Sequence, residues 1–202
     1  PYSQTGGLVV IEAESWSSSS GPRNGYEWTL VAAPPAGSSG AAVQALPNNG
    51  ANVDTDWFAN SPELRYDVNF TAAGTHFVWL RGRATTADDD SAHVGLNGSG
   101  TGAARITLDT YDAWQWTRTT MNAGADATIT VPSTGMHTLN LWMREDGLVA
   151  DRIVLTTKAD FAVRTGNAWH IPNNTEQAGI ASMRSPFLDI HAGTDVTIYN
   201  GN

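Results

Sequence analysis

Apolar and polar residues alternate along much of the chain, which predicts β-strands with one buried face. Within residues 63–70 every second residue, from Leu64 to Phe70, is apolar. The same alternation recurs at Leu139, Leu141 and Met143, and residues 149–156 are rich in the β-branched side chains that favour strands. Further strands are predicted over residues 8–14, 28–31, 42–45, 75–82, 91–96, 115–122 and 127–131.

Clusters of Gly, Pro, Asn and Ser separate these segments at short intervals. Turns at this spacing are typical of an antiparallel β-sandwich, and no segment has a convincing helical pattern. The sequence therefore predicts an all-β domain over residues 1–160.

Residues 161–202 differ in character, because a polar stretch precedes two more predicted strands at residues 187–190 and 194–199. Two interpretations stay open. The segment is either a linker followed by the start of another module, or a pair of edge strands that completes the sandwich.

Composition narrows the classes of partner. The 202 residues carry a formal net charge of −9, which argues against nucleic-acid binding, and no apolar run is long enough for a membrane span. Cysteine is absent, so disulfides and thiolate metal sites are excluded. The chain begins at Pro1 without a signal segment, and we expect a secreted, monomeric domain covalently linked to others in a larger protein.

Two glutamates of the opening strand suggest a cation site. Glu12 and Glu14 are two residues apart, so strand pleating places both on one face, and Asp151 stands in a later strand beside Ala150 and shortly before the apolar residues 153–155. Calcium suits such a set because it binds carboxylate and carbonyl oxygens. The alternative is that both glutamates face solvent and that Asp151 pairs with Arg152 or another basic residue.

Four segments resemble the family-6 and family-35 carbohydrate-binding modules: IEAES near the start, residues 61–98, YDAWQW, and MHTLNLWMREDGLVADRIVLTT. The resemblance implies an antiparallel jelly-roll β-sandwich with a structural calcium held partly by Glu12, Glu14 and Asp151. It also implies a non-catalytic module that holds a secreted carbohydrate-active enzyme against a polysaccharide.

Aromatic side chains in loops are candidates for sugar binding, because their rings stack on the C–H faces of pyranoses. Trp114 follows the turn-like run that begins at Tyr111, and the resemblance implies an aromatic of the binding site at this place. Trp28 is a candidate for the opposing wall, with Tyr26 as a substitute. Trp116 enters a strand, so we expect it in the core.

Carboxylates from neighbouring loops would accept hydrogen bonds from sugar hydroxyls. Glu145 and Asp146 occupy the turn before the last main strand and are the candidates for this role. Many of the resembling modules carry Asn where this chain has Val149, so the expected Asn contact is absent and the resemblance does not indicate the sugar specificity. The acidic run 88–90 is a solvated turn, a partner for an arginine, part of the sugar site or, less convincingly, a second calcium site.

Two Trp-x-Arg pairs, Trp79 with Arg81 and Trp142 with Arg144, would share one sheet face if their strands were neighbours. The competing interpretation buries both tryptophans under loops and pairs the arginines with residues 88–90 or with Glu145.

Catalysis has little support in the sequence. The five histidines are dispersed and the chain has no G-x-S-x-G motif. Carboxylate pairs for hydrolysis, such as Glu145 with Asp90 or Glu63 with Asp112, and a lyase site at Tyr111, rest only on the availability of such groups. A catalytic lyase or hydrolase domain and a structural adhesion domain are the alternatives to a binding module.

Overall fold

The computed structural model describes residues 1–32, 41–122, 124–165, 168–170, 187–190 and 196–199. One short helix, α1 (Trp57–Asn60), accompanies the strands. The strands are β1 (Tyr2–Ser3), β2 (Leu8–Glu12), β3 (Ser18–Ser20), β4 (Glu27–Ala32), β5 (Ala41–Leu46), β6 (Glu63–Phe70), β7 (Gly74–Arg83), β8 (Ser91–Leu96), β9 (Ser99–Thr107), β10 (Gln115–Thr117), β11 (Thr128–Val131), β12 (Gly135–Met143), β13 (Val149–Thr156), β14 (Val163–Thr165), β15 (Ala168–His170), β16 (Phe187–Ile190) and β17 (Val196–Tyr199).

Two sheets form the sandwich. Sheet A has the order β1-β6-β12-β8-β9, with β3 also paired to β6. Sheet B has the order β10-β7-β13-β5-β4, with β11 also on β7 and β2 also on β13. Every pairing in these sheets is antiparallel except β1 with β6.

The core lies between the sheets, on the faces that the alternation predicts. In sheet A, Leu64 of β6 stands opposite Leu141 of β12, and both are fully buried. In sheet B, Ile153 of β13 lies between Ile11 of β2 and Leu80 of β7. Burial of these apolar side chains stabilises the fold by roughly 1.5 to 3 kcal/mol for each large residue.

The predicted all-β antiparallel sandwich is confirmed. Three strands, β6, β8 and β13, have the bounds that the sequence pattern predicts. The pattern missed β9, which is rich in glycine and alanine, and the four-residue helix α1. Among the described residues, no helix has the length and apolar character needed to cross a lipid bilayer.

The outer face of sheet B carries a second apolar cluster. Trp79 and Trp116 are buried there, and Trp116 therefore packs internally as expected. Phe161 and Val163, which follow β13, are only 3% and 0% exposed and belong to the same cluster. The chain thus folds back over sheet B beyond residue 160.

The strands β14 to β17 form a separate sheet of order β15-β14-β16-β17. The predicted strand at residues 187–190 is confirmed, and the one predicted at 194–199 is found at Val196–Tyr199, with residues 194 and 195 outside the described part. Within the described residues these strands pair with each other and not with sheet A or B. A division of the chain at residue 160 stays a prediction, as does the linker, most of which lies outside the described residues.

Shortening the chain tests this division. A chain that ends after Asp160 loses the Phe161 and Val163 contacts and exposes Trp79 and Trp116, whereas one that ends after Thr165 keeps them. We expect the shorter chain to be less stable by roughly 2 to 4 kcal/mol, from the apolar surface that stays in water. Urea unfolding followed by tryptophan fluorescence measures the difference, and equal midpoints with equal slopes would contradict it.

Candidate functional site

The 108–114 loop between β9 and β10 presents two aromatic side chains. Gln115 shapes this loop, because its Nε2 donates a hydrogen bond to the carbonyl oxygen of Thr110 at 2.5 Å. Tyr111 is 42% exposed and Trp114 is half-buried. The structure therefore displays both predicted aromatic residues on one loop at an end of the sandwich.

The Trp114 ring rests on a buried arginine. The guanidinium carbon of Arg81 lies 5.0 Å from the centre of the ring, within the range of a cation–π contact. Arg81 Nη1 also donates to Asp151 Oδ2 at 2.5 Å. Arg81 is 1% exposed, so this contact fixes the ring from the protein side.

Tyr111 is tied to a buried pair of carboxyl groups. Its hydroxyl donates to Asp90 Oδ2 at 3.3 Å, and the Asp90 backbone N–H donates to Glu145 Oε2 at 3.1 Å. Burial, and then the charge of Glu145, raises the pKa of Asp90 to about 6. Of the acidic run, Asp88 is exposed, whereas Asp89 and Asp90 are buried, so only Asp88 fits the interpretation as a solvated turn.

Glu145 uses its carboxylate inside the protein. Its Oε2 accepts a 2.6 Å hydrogen bond from Ser91 Oγ, and its Oε1 pairs with Arg144 Nη1 at 2.5 Å. With the Asp90 N–H, the Asn52 side chain at 3.3 Å makes a fourth contact, and Glu145 is 6% exposed. In this structure Glu145 positions loops and does not face solvent. Asp90, with which Glu145 was considered as a pair for hydrolysis, is buried as well.

Asp146 is fully buried and organises the 49–51 loop. Its two oxygens accept hydrogen bonds from the backbone N–H groups of Asn49, Gly50 and Ala51 at 2.6, 3.2 and 3.0 Å. The Tyr26 hydroxyl in turn donates to the Asn49 side chain at 2.8 Å. Because Glu145 and Asp146 are consecutive, hydrogen bonds connect Tyr26 on one side of this turn with Tyr111 on the other.

The structure does not bring Trp28 and Trp114 together. Trp28 lies on β4, at the opposite edge of sheet B from β10, and three strands separate them, roughly 19 Å at the usual strand spacing. Trp28 is 9% exposed, and its indole N–H donates to the Pro62 carbonyl oxygen at 3.1 Å. Tyr26, the substitute, is the aromatic residue nearer the solvent.

A groove on the outer face of sheet A is a second candidate surface. Its volume is about 510 Å³, and Phe58 of α1, 41% exposed, forms one wall. Glu63 lies in the groove, where its carboxylate accepts hydrogen bonds from Asn140 and Arg65, both at 2.6 Å. This surface was not predicted from the sequence, although the polar alternate positions of β6 and β12 indicate a face turned away from the core.

The two Trp-x-Arg pairs do not share a face. Trp79 and Arg81 belong to β7 in sheet B, whereas Trp142 belongs to β12 in sheet A. Both tryptophans are buried, and Arg144 pairs with Glu145 and Asp54. The burial of both rings and the pairing of Arg144 with Glu145 confirm the competing interpretation for these groups, whereas Arg81 pairs with Asp151 and not with residues 88–90 or Glu145.

Glu12, Glu14 and Asp151 lie where β2 meets β13. The Ala13 N–H donates to the Asp151 carbonyl oxygen at 2.8 Å, and the side chain of Glu12 accepts a 2.7 Å hydrogen bond from Arg152. The side chain of Asp151 pairs with Arg81, as described above, and so with a basic residue, as the alternative interpretation predicted.

Two oxygens at this place have no hydrogen-bond partner. They are Glu14 Oε2 and Asp151 Oδ1, and both are buried. Burial raises the pKa of each group, and the charges of Glu12 and Asp151 add to the effect on Glu14. Within the described residues no group of three His, Asp or Glu side chains is assembled to hold a metal. The two unpartnered oxygens nevertheless fit the donor chemistry of a hard cation.

Comparison with known proteins adds a family and a fold. The sequence profile of the glycosyl hydrolase family 115 C-terminal domain matches residues 2–164. Uncharacterized protein P23 of Formosa agariphila is 30% identical over 116 residues, which cover 52% of this chain and 28% of that protein. The chain thus corresponds to a minor part of this relative's length.

Among solved structures, the chain is similar to the C-terminal CBM6 of LamC, a marine laminarinase from Zobellia galactanivorans. The TM-score is 0.50 at 16% identity, and the alignment covers 74% of this chain and 99% of that module. The Podospora anserina GH26-CBM35 β-(1,4)-mannanase aligns with a TM-score of 0.49 at 16% identity, over 77% of this chain and 30% of that enzyme. The likeness to the LamC module confirms the fold that the sequence resemblance implied.

The raised pKa of Asp90 predicts that Asp90→Asn increases the free energy of unfolding relative to the wild type by an amount that depends on pH. Between pH 4 and 6 the unfolded chain releases the Asp90 proton while the folded protein keeps it, so the free energy of unfolding of the wild type falls as the pH rises. The variant lacks this loss, and its advantage should grow by roughly 1 to 3 kcal/mol from pH 4 to pH 7.

Urea unfolding at pH 4, 5, 6 and 7 measures this advantage. Asp88→Asn, which neutralises an exposed carboxyl group of the same turn, is the matched control and should keep the wild-type pH dependence. An advantage of Asp90→Asn that does not change with pH would contradict the shared burial of Asp90 and Glu145.

Proposed function

The chain belongs to the family of glycosyl hydrolase family 115 C-terminal domains, and from this membership we propose that it is a non-catalytic carbohydrate-binding module of a larger secreted protein. The module would bind a polysaccharide as a monomer and hold an attached carbohydrate-active enzyme on it. Its fold supports the proposal, because the LamC module that it resembles is a carbohydrate-binding module.

The observation that carries the proposal is the aromatic rim at the loop end of the sandwich. Tyr111 is exposed, Trp114 is half-exposed and backed by Arg81, and Tyr26 is linked to the Glu145–Asp146 turn through Asn49. Aromatic rings fixed at a protein surface are suited to stack on the C–H faces of sugar rings.

Exposed amides next to this rim would supply hydrogen bonds to sugar hydroxyls. Asn48 and Asn49 are exposed, and Asn48 lies so close to Gly147 that a Cβ on this glycine would collide with the Asn48 amide. An amide therefore stands close to the turn where many family-6 and family-35 modules have their Asn and this chain has Val149. This arrangement leaves Glu145 and Asp146 to shape the loops.

We further propose a structural calcium between β2 and β13. Glu14 Oε2 and Asp151 Oδ1 would bind it, with Glu12 beside them. The ion would neutralise carboxylates that burial otherwise penalises. Because Glu14 follows β2 and Asp151 belongs to β13, these residues would fasten the first long strand to the centre of sheet B.

Affinity electrophoresis on gels that contain xylan, cellulose, laminarin or mannan tests sugar binding. We expect the protein to be retarded by at least one of these polymers and Trp114→Ala to lower the affinity roughly fivefold, because one stacking ring contributes on the order of 1 kcal/mol. Phe58→Ala, which removes an exposed ring from the groove of sheet A, is the matched control.

The outcomes separate the sites and the functions. Loss of binding in Phe58→Ala with full binding in Trp114→Ala would move the sugar site to the groove. Release of reducing ends or unsaturated products would contradict the non-catalytic role. Retention of no polymer, together with binding to protein surfaces, would favour a structural adhesion domain.

Calcium should stabilise the fold. At a concentration 100 times its dissociation constant, a ligand that binds only the folded state adds about 2.7 kcal/mol, or roughly 5 to 10 °C in melting temperature for a chain of this size. Glu14→Gln should abolish most of this rise while stabilising the calcium-free protein, because it removes a buried, unpartnered charge. Thermal unfolding in EDTA, CaCl₂ and MgCl₂ measures both effects, and identical curves in all three would contradict the calcium site.

A further inference from the structure

A continuous line of contacts connects the proposed calcium site to the proposed sugar site. Asp151 contributes one unpartnered oxygen to the cation site and gives its other oxygen to Arg81 at 2.5 Å. The Arg81 guanidinium carbon lies 5.0 Å from the centre of the Trp114 ring. One side chain therefore contacts both sites.

From this geometry we infer that Arg81 is a positioning residue that couples cation binding at Asp151 to the placement of the Trp114 ring. The inference rests on the proposed function, because it uses the proposed cation and the proposed stacking ring. It adds that the cation would influence sugar binding, an effect that neither site has alone.

Arg81 has little freedom to act elsewhere. Its side chain is 2% exposed, and on β7 it stands opposite Trp116 of β10 and Arg152 of β13. Its charged end is therefore confined between neighbouring strands, with an anionic partner, Asp151, and an aromatic partner, Trp114. A change at one partner shifts the balance of attraction to the other.

Charge determines the direction of the coupling. Glu12, Glu14 and Asp151 carry three negative charges when ionised, against the two positive charges of Arg81 and Arg152. A divalent cation at Asp151 Oδ1 would draw on the same carboxylate that holds Arg81 and weaken that pair. The aromatic face of Trp114 then becomes the stronger remaining partner of the guanidinium.

A ring held more firmly is better prepared to stack. Trp114 belongs to an irregular loop, where its orientation depends on the contact with Arg81. A side chain that is fixed before binding loses less conformational freedom when the sugar arrives. Calcium should therefore tighten the hold on Trp114, and by linkage the ring should strengthen calcium binding.

Fluorine NMR of the full chain labelled with 5-fluorotryptophan tests the coupling with Ca²⁺ alone, without any glycan. Trp114→Phe identifies the Trp114 resonance among those of the eight tryptophans. We expect CaCl₂ to shift and sharpen this resonance in the wild type and to leave it unchanged in Arg81→Lys. Lysine keeps a charge for Asp151 but lacks the planar group that lies against the ring.

Arg83→Lys is the matched control, because Arg83 lies two residues further along β7 and forms an exposed ion pair with Asp112 at 3.1 Å. It should keep the wild-type response. A calcium-dependent shift that persists in Arg81→Lys would overturn the role of Arg81. A rise in melting temperature without a change at Trp114 would overturn the coupling and leave the calcium site standing, whereas no response to calcium of either kind would overturn both.

Calorimetric titration with Ca²⁺ provides a second test that leaves Arg81 in place. Trp114→Ala removes the aromatic partner, and reciprocity predicts that calcium then binds about twofold to fivefold more weakly than in the wild type, the range that corresponds to one cation–π contact. Equal calcium affinity in the two proteins would overturn the inference even if Arg81→Lys failed to fold.

Discussion

Two consecutive carboxylates, Glu145 and Asp146, hold together the loops at one end of the sandwich. Asp146 takes three backbone N–H groups of the 49–51 loop, and Glu145 takes the hydroxyl of Ser91 and an arginine. Both are buried, so bonds to the protein offset the loss of hydration. The positions of Tyr26 and Tyr111 follow from this turn, and the aromatic rim depends on it.

The strands could be predicted where apolar residues are buried and polar residues are exposed in regular alternation. Residues 63–70 gave the right bounds because a half-buried strand repeats every two residues. The same rule failed for β9, whose glycines and alanines carry no such contrast. The helix α1 has only four residues and no side-chain cap, so its sequence has no pattern that predicts a helix.

The candidate site was less accessible to sequence reasoning, because its chemistry depends on contacts between distant segments. The turn-like run that begins at Tyr111 was predicted from its residues, and the loop that contains it does display Tyr111 and Trp114. Glu145 and Asp146 were expected to face a sugar, yet they bond to Ser91 and to the 49–51 loop, both more than 50 residues away in the chain. The contact of Arg81 with Trp114 joins segments that only the sheet brings together.

The return of the chain over sheet B has a mechanical consequence. Phe161 and Val163 lie in the cluster of Trp79 and Trp116, directly after the central strand β13. Tension applied beyond residue 163 would peel these apolar contacts away before it reached β13, whose hydrogen bonds join β7 and β2. Under such tension the contacts of Phe161 and Val163 would break first, and the hydrogen bonds of β13 would break only afterwards.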